Sequence, residues 1–411
     1  MRRSSPKSIS TFCLLPSLLS LFLLAIGSHW PVKAQQQANQ QRPRRVTGTE
    51  NKPTTKSNAT NSPAEEVDEG DVVRVETQLV SVPAVVTSST GRPLAGLKPE
   101  NFLLFEDGQQ QKISNFGTTE APFEIALLLD TSGSTRADVA LIRQAANAFI
   151  NALRPGDRVA IVGFNTAQEG QSKTATVDIL STLNEDRKVL RTAIENLGSS
   201  NGTPFYDALE SIAQKVFREA PPEDVRGRRA IVALTDGVDS TSDTDFAAAR
   251  ARLIRSGVAC YFIQVNTEDF VEDRLLKDCQ DDGRLSLSAK QLQRYRQIFV
   301  PGGKPDDYVD FCQLGPFQRM QISRDLYNLA RREMNDLAKA SGGKNFVAAS
   351  LEDARAAFAR VANEIGTQYS LGYYPSNKNR DGKFRTIRVE VRGIQDKPQV
   401  RAREGYYAPK S

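Results

Sequence analysis

Three short stretches of the chain carry oxygen-bearing side chains at intervals that suit metal chemistry. Leu128-Leu129-Asp130-Thr131-Ser132-Gly133-Ser134 sets a carboxylate and two hydroxyls two residues apart, on a turn that Gly133 permits. Asn201-Gly202-Thr203-Pro204 offers further oxygens just before a helical pattern, and Thr235-Asp236-Gly237 follows an apolar run. A carboxylate and hydroxyls around one point are donors for a hard divalent cation such as Mg²⁺. Taken singly, each stretch has a simpler reading. Ser134 and Thr203 would cap the helices that follow them, and Asp236-Gly237 would be an ordinary turn. The case for a site rests on all three meeting.

The elements around them decide whether they can meet. Residues 125–129, 159–164, 230–234 and 258–265 are continuous apolar runs, as expected of strands buried on both faces. Residues 139–153, 190–197, 208–217, 246–254, 326–340 and 351–365 have helical spacing, and 345–348 is a last short strand. Strands alternating with helices predict an α/β fold: a doubly wound, mostly parallel sheet. In such sheets ligands bind beyond the carboxyl ends of the strands. Asp130, Ser132, Ser134, Thr203 and Asp236 would all lie there.

On either side of this layer the pattern turns β. Residues 73–77, 79–86, 102–105 and 111–116 read as strands before it, and 369–374, 384–391 and 399–403 as strands after it. The ends of an inserted domain lie close together, and a lone three-stranded piece has little core. The two sets are therefore expected to complete one small β-sandwich. The predicted organisation is a signal peptide at 1–34, a disordered linker at 35–71 and the first half of the sandwich at 72–120. The α/β domain follows at 121–367, then the second half of the sandwich at 368–411. Residues 267–320 break the strand–helix rhythm and are too long for a connection; they read as an insertion.

Charge and composition exclude several function classes. Arg2, Arg3 and Lys7 precede an apolar stretch over residues 14–26, and Val32-Lys33-Ala34 is a small-residue cleavage site. An uncleaved anchor is the rival reading, but the stretch is short and broken by Pro16, Ser17 and Ser20. No cysteine follows it, so the lipoprotein pattern is missing. With the leader removed, the net charge falls from +5 to about +1, and His29 and Trp30, the one histidine and the one tryptophan, are gone. A mature chain without histidine has no Ser-His-Asp or Cys-His catalysis and no His-ligated metal. Near-neutral charge argues against a polyanion surface, and Arg42-Pro43-Arg44-Arg45 reads as solvated linker. Of the remaining cysteines, Cys260 lies in an apolar strand. Cys279 and Cys312 share a polar stretch and are expected to pair in an oxidising compartment.

The three oxygen stretches, in this order, resemble the metal-ion-dependent adhesion site of the von Willebrand factor type A domain. That site has an Asp-x-Ser-x-Ser motif, a Thr in a later loop and an Asp after a later strand. The resemblance covers about residues 120–366. It implies that Ser132, Ser134 and Thr203 bind the ion directly and that Asp130 and Asp236 act mostly through water. It also implies Mg²⁺ (or Mn²⁺ or Ca²⁺) as cofactor, with one position left for an Asp or Glu of a protein partner. The flanking β segments, with Phe105-Glu106-Asp107-Gly108 and Leu371-Gly372-Tyr373-Tyr374-Pro375, look like those of exported bacterial proteins termed VWFA-related, mainly of Acidobacteria. The 267–320 insertion departs from the family's compact form.

The expectation is thus an exported, non-enzymatic, metal-dependent protein-binding module of the periplasm, envelope or extracellular space. It would have no nucleic-acid partner and no membrane span after cleavage. Two alternatives stand beside it. A Mg²⁺-dependent phosphohydrolase of the haloacid dehalogenase type would need a second Asp where Ser132 stands, and has no general acid here. An envelope scaffold whose site no longer binds metal is the other. Tyr373, Tyr374, Tyr406 and Tyr407 are expected to pack rather than to bind carbohydrate.

Overall fold

The computed structural model describes residues 79–118, 120–133, 135, 139–169, 172–220, 222, 225, 228–277, 287–302, 313–395 and 397–410. The expected signal peptide, linker and first strand, together with Ser134, Cys279 and Cys312, lie outside the described residues.

In chain order, four strands come first: β1 (Val80–Thr87), β2 (Phe102–Glu106), β3 (Gln109–Gln111) and β4 (Ile113–Gly117). The α/β layer begins with β5 (Glu124–Leu129), α1 (Val139–Ala152), β6 (Arg158–Glu169) and β7 (Ser172–Asn184). It continues with α2 (Arg187–Glu195), α3 (Phe205–Ser211), β8 (Arg229–Thr235), α4 (Phe246–Ser256) and β9 (Ala259–Val265). Then come α5 (Glu268–Lys277), α6 (Ala289–Phe299), α7 (Pro316–Ser341), β10 (Lys344–Ala348) and α8 (Ala354–Gly366). The chain closes with β11 (Tyr369–Tyr373), β12 (Phe384–Val391), β13 (Gln399–Ala402) and β14 (Gly405–Tyr407).

The central sheet has six strands in the order β10-β9-β8-β5-β6-β7, parallel throughout except for the β6–β7 hairpin. Every residue of β5, β8 and β9 is buried, which explains their unbroken apolar sequences. Alternate side chains serve opposite faces. Ile125, Leu127 and Leu129 of β5 pack with α1 and α8, whereas Ala126 and Leu128 pack with α3, α4 and α7. This is a doubly wound α/β layer. Its strand order reverses at β5, which pairs with β6 on one side and β8 on the other. The loops after β5 and β8 therefore flank the crevice where open α/β sheets place their ligands.

Local signals set the helix ends. Asp245 caps α4 by accepting from the Ala248 amide at 2.7 Å, and Ser288 and Gln291 form a capping box on α6. Gly342 ends α7 at φ 82°, a left-handed turn open to glycine. Gly343 then passes so close to Cys260 of β9 that a Cβ there would collide with its backbone.

Strands from before and after the α/β layer pair with one another. One sheet runs β13-β1-β11-β4 and the other β14-β12-β2-β3. Val82, Val86, Leu104, Leu371 and Ile387 meet in a core between them. The span 111–116, read as one strand, is split into β3 and β4. The β6–β7 hairpin was not expected, α7 begins ten residues before the expected helix, and α3 passes into a π turn at Ile212–Val216. Tyr373 and Tyr406 are buried as expected, while Tyr374 is half exposed.

Candidate metal site

Asp130 is the residue directly after β5 and Asp236 the residue directly after β8, so neighbouring parallel strands bring two carboxylates to one end of the sheet. Asp130 is fully buried (0% exposed). Its Oδ1 accepts from the Ser132 amide at 2.9 Å and its Oδ2 from the Thr235 hydroxyl at 2.6 Å. Thr235 Oγ1 in turn accepts from the Gly237 amide at 2.8 Å. Asp236 Oδ1 accepts from the Val238 amide at 3.0 Å and Oδ2 from the Thr267 hydroxyl at 2.7 Å. Asp236-Gly237 is thus a turn, with Gly237 at φ 77°, and also more than a turn. A Cβ on Gly237 would strike Met334 of α7.

The third loop is held against the second. The Thr203 amide donates to Ser240 Oγ at 2.7 Å, and the Ser240 amide donates to the Thr203 carbonyl at 3.0 Å. Thr203 does not cap α3: the capping position belongs to Pro204, and no side chain bonds there. The Ser200 amide donates to the Thr131 carbonyl at 3.1 Å, which ties this loop to the first.

Ser132, Thr203 and Asp236 line one cavity of about 90 Å³. Of the residues expected to meet, Asp130, Ser132, Thr203 and Asp236 stand at the same end of the sheet. Ser134 is outside the described residues. Burial and the nearby Asp236 charge together hold the Asp130 carboxyl well above the usual carboxylate range, against the pull of its hydrogen bonds. Two buried carboxylates facing each other leave a need for positive charge. Among the described residues lining the cavity there is no Lys, Arg or His. The Ser132 hydroxyl oxygen is buried against the Asp130 carboxyl, whose ionisation it favours, and makes no other hydrogen bond among the described residues. A buried hydroxyl oxygen beside two neighbouring carboxylates fits a hard cation. Among the described residues no group of three His, Cys, Asp or Glu side chains gathers, so hydroxyls would have to make up the donor set.

The described parts of the insertion, α5, Leu287 and α6, pack beside this site together with α7. Val271 and Leu275 of α5, Leu287, and Leu326 and Tyr327 of α7 form their own cluster with Leu292 and Ile322, and Val238 of the Asp236 loop packs against it. Ser288 Oγ donates to the Ser240 carbonyl at 2.6 Å, and Lys290 Nζ donates to the Thr241 carbonyl at 2.8 Å. Arg294 of α6 pairs with Glu333 of α7 at 2.6 Å, and the Tyr206 hydroxyl donates to the same carboxylate at 2.6 Å. Three helices are thereby fastened to the loops that carry Thr203 and Asp236. The sequence signalled Thr235 by its place beside Asp236. Nothing in it pointed to Thr267 or Tyr327.

Residues 124–293 match the family model of the von Willebrand factor type A domain. The match stops within α6, inside the insertion, while the sheet continues to β10. No curated protein matches the chain. Among solved structures, a von Willebrand factor type A protein from Catenulispora acidiphila is 12% identical, with 82% of this chain and 75% of that one covered and a TM-score of 0.38. An aerotolerance-related membrane protein from Bacteroides fragilis is 16% identical, covering 59% and 98%, with a TM-score of 0.33. Proximal thread matrix protein 1 from the mussel byssus is 12% identical, covering 59% of this chain and 47% of that one, with a TM-score of 0.36. The chain thus spans about half the length of the mussel protein it matches. Among the described residues no helix is long and apolar enough to cross a membrane.

Proposed function

Taking the central layer as a von Willebrand factor type A domain, we propose that this chain is an exported, non-enzymatic interaction module that works through a divalent cation. Ser132, Ser134 and Thr203 would hold the ion directly, with Asp130 and Asp236 acting mostly through water. Mg²⁺ is the favoured ion, with Mn²⁺ and Ca²⁺ as substitutes. Held largely by neutral hydroxyls, the ion keeps much of its positive charge and supplies attraction for a carboxylate from a partner. Export rests on the basic, apolar and small-residue pattern of residues 1–34.

One observation carries this reading: a fully buried Asp130 beside a second carboxylate, Asp236, with the buried Ser132 hydroxyl against them and no cationic side chain among the described residues of the cavity. The test is capture of partners from envelope extract by the mature chain in Mg²⁺, in EDTA and with Asp130→Ala. A partner retained only by wild type in Mg²⁺ supports the reading. A partner held equally in EDTA and by Asp130→Ala contradicts it.

A further inference from the structure

Helices α5, α6 and α7 form a helical cap beside the site, and α6 and α7 border a second cavity that shares no described residue with the first. It is an open groove of about 220 Å³ along the seam between them, lined by Leu292, Tyr295, Val300, Leu314 and Ile322. Phe317, in the first turn of α7, stands beside it. It lies four residues before Gln321 of the lining, on the same helix face, and is 77% exposed. No other large apolar side chain among the described residues is so exposed. Ile298 and Val300, at and just past the end of α6, are exposed as well. Scattered singly, such residues are ordinary; gathered round a groove they mark a contact surface.

We propose that this face joins two copies of the chain, the Phe317 ring of each seated in the groove of the other. Knob and hole lie on one surface, and a two-fold axis is the arrangement in which such a surface is its own complement. An aromatic ring entering an apolar pocket is also the usual anchor of a protein contact. Charge favours a like partner. Arg296 is the one charged side chain among the described residues lining the groove, and Asp325, which accepts from the Tyr295 hydroxyl at 3.2 Å, sets a carboxylate beside it. The patch is thus close to neutral, and the chain without its leader carries about +1, so two copies meet without repulsion. Around the groove Gln297, Gln313 and Gln318 are exposed. An amide is donor and acceptor at once and can bond to the same amide of a second copy, which a rim of Lys or of Glu could not do. A strongly acidic or basic partner would find no opposing charge here. The pairing does not depend on the ion. It would give one assembly two ion sites, the basis for bivalent attachment.

The experiment is sedimentation velocity of the mature chain in EDTA, which takes the ion out of the question, over a concentration series. The expected result is a monomer–dimer equilibrium with a Kd of about 10–100 µM, as suits a small, transient contact. Phe317→Glu and Leu314→Arg, which alter knob and hole, should each weaken it about tenfold or more. Phe317→Glu changes a side chain that is already in solvent in the single chain, so the dilute variant should keep the wild-type urea midpoint. Trp30 is the one tryptophan and belongs to the leader, so Phe317→Trp places a single indole at the knob of the mature chain. Its emission should move to the blue as concentration rises. Blue emission that does not change with concentration would put the knob under the chain's own residues, and solvent-like emission at every concentration would leave it uncovered; either overturns the proposal. So does wild type that stays monomeric at about 300 µM, well above the expected Kd, or a dimer that Phe317→Glu leaves intact.

Discussion

Thr267 donates its hydroxyl to Asp236 Oδ2 at 2.7 Å, so the first residues of the insertion touch the carboxylate that the site depends on. The same Thr267 oxygen lies 2.7 Å from the Tyr327 hydroxyl of α7, which stands 3.4 Å from Asp236. Cap and site are one hydrogen-bonded unit. Outer-shell partners of this kind orient the groups that face a metal. Thr267→Val should lower Mg²⁺ affinity by about tenfold with little change in folded structure. Tyr327→Phe, which removes the longer contact, should have a smaller effect. Titration calorimetry of both variants checks the order; equal affinity in wild type and Thr267→Val would disconnect the cap from the site.

The sandwich turns on a buried carboxylate. Glu106 accepts from Tyr373 at 2.6 Å, from Tyr406 at 2.9 Å and from Arg385 at 3.2 Å, and Glu106 and Arg385 are each 3% exposed or less. Glu106→Ala leaves buried Arg385 with Asp381 at 3.9 Å as its remaining carboxylate and leaves Tyr373 and Tyr406 without their acceptor, which costs about 3 kcal/mol. Tyr373→Phe removes one donor and should cost about 1–3 kcal/mol. Urea unfolding followed by circular dichroism measures both, and a loss under 1 kcal/mol for Glu106→Ala would mean that the network is not closed.

Gly343 is required by close approach. Its place against the Cys260 backbone leaves no room for a methyl group. Gly343→Ala should destabilise the α/β layer by about 3 kcal/mol or more, because backbone, unlike a flexible side chain, cannot move aside cheaply. A urea midpoint within error of wild type would show that the contact is looser than described.

Asp239 makes stability depend on pH. Burial raises its pKa to about 6, above the ordinary 3.8, although Ser242 and the Tyr206 amide both bond to it. Between those two values the folded state holds a proton that the unfolded state has lost. Its contribution is therefore fully present below about 3.8 and is lost as pH rises through about 6. In EDTA, wild type should lose stability relative to Asp239→Asn as pH is raised from 4 to 7. Parallel stability curves for the two proteins would contradict the assignment.

What was legible in the sequence follows from what periodicity encodes. β5, β8 and β9 stood out because burial on both faces forces unbroken apolar runs, and the residues that follow such strands fall at one end of a parallel sheet. β7 did not stand out. It is an antiparallel edge strand in which Val177, Ile179 and Leu183 are only partly buried among Ser, Thr and Asp. The first ten residues of α7 were hidden because two of their buried positions, Arg319 and Ser323, are polar and interrupt the apolar stripe, though Pro at the first turn suits a helix start. The packing of α5 and α6 beside the site was not legible at all. It depends on single contacts such as Thr267–Asp236 and Ser288–Ser240, which join residues 31 and 48 positions apart and leave no periodic trace. Glu106 and Tyr373, 267 positions apart, are partners for the same kind of reason.

The most direct test of the account is Mg²⁺ titration of the metal-stripped mature chain by calorimetry, beside Asp130→Ala and Thr203→Ala. The prediction is one ion per chain for wild type, no saturable binding for Asp130→Ala, and binding at least tenfold weaker for Thr203→Ala. Wild type that takes up no Mg²⁺ or Mn²⁺, or an Asp130→Ala chain that binds as wild type does, would contradict it.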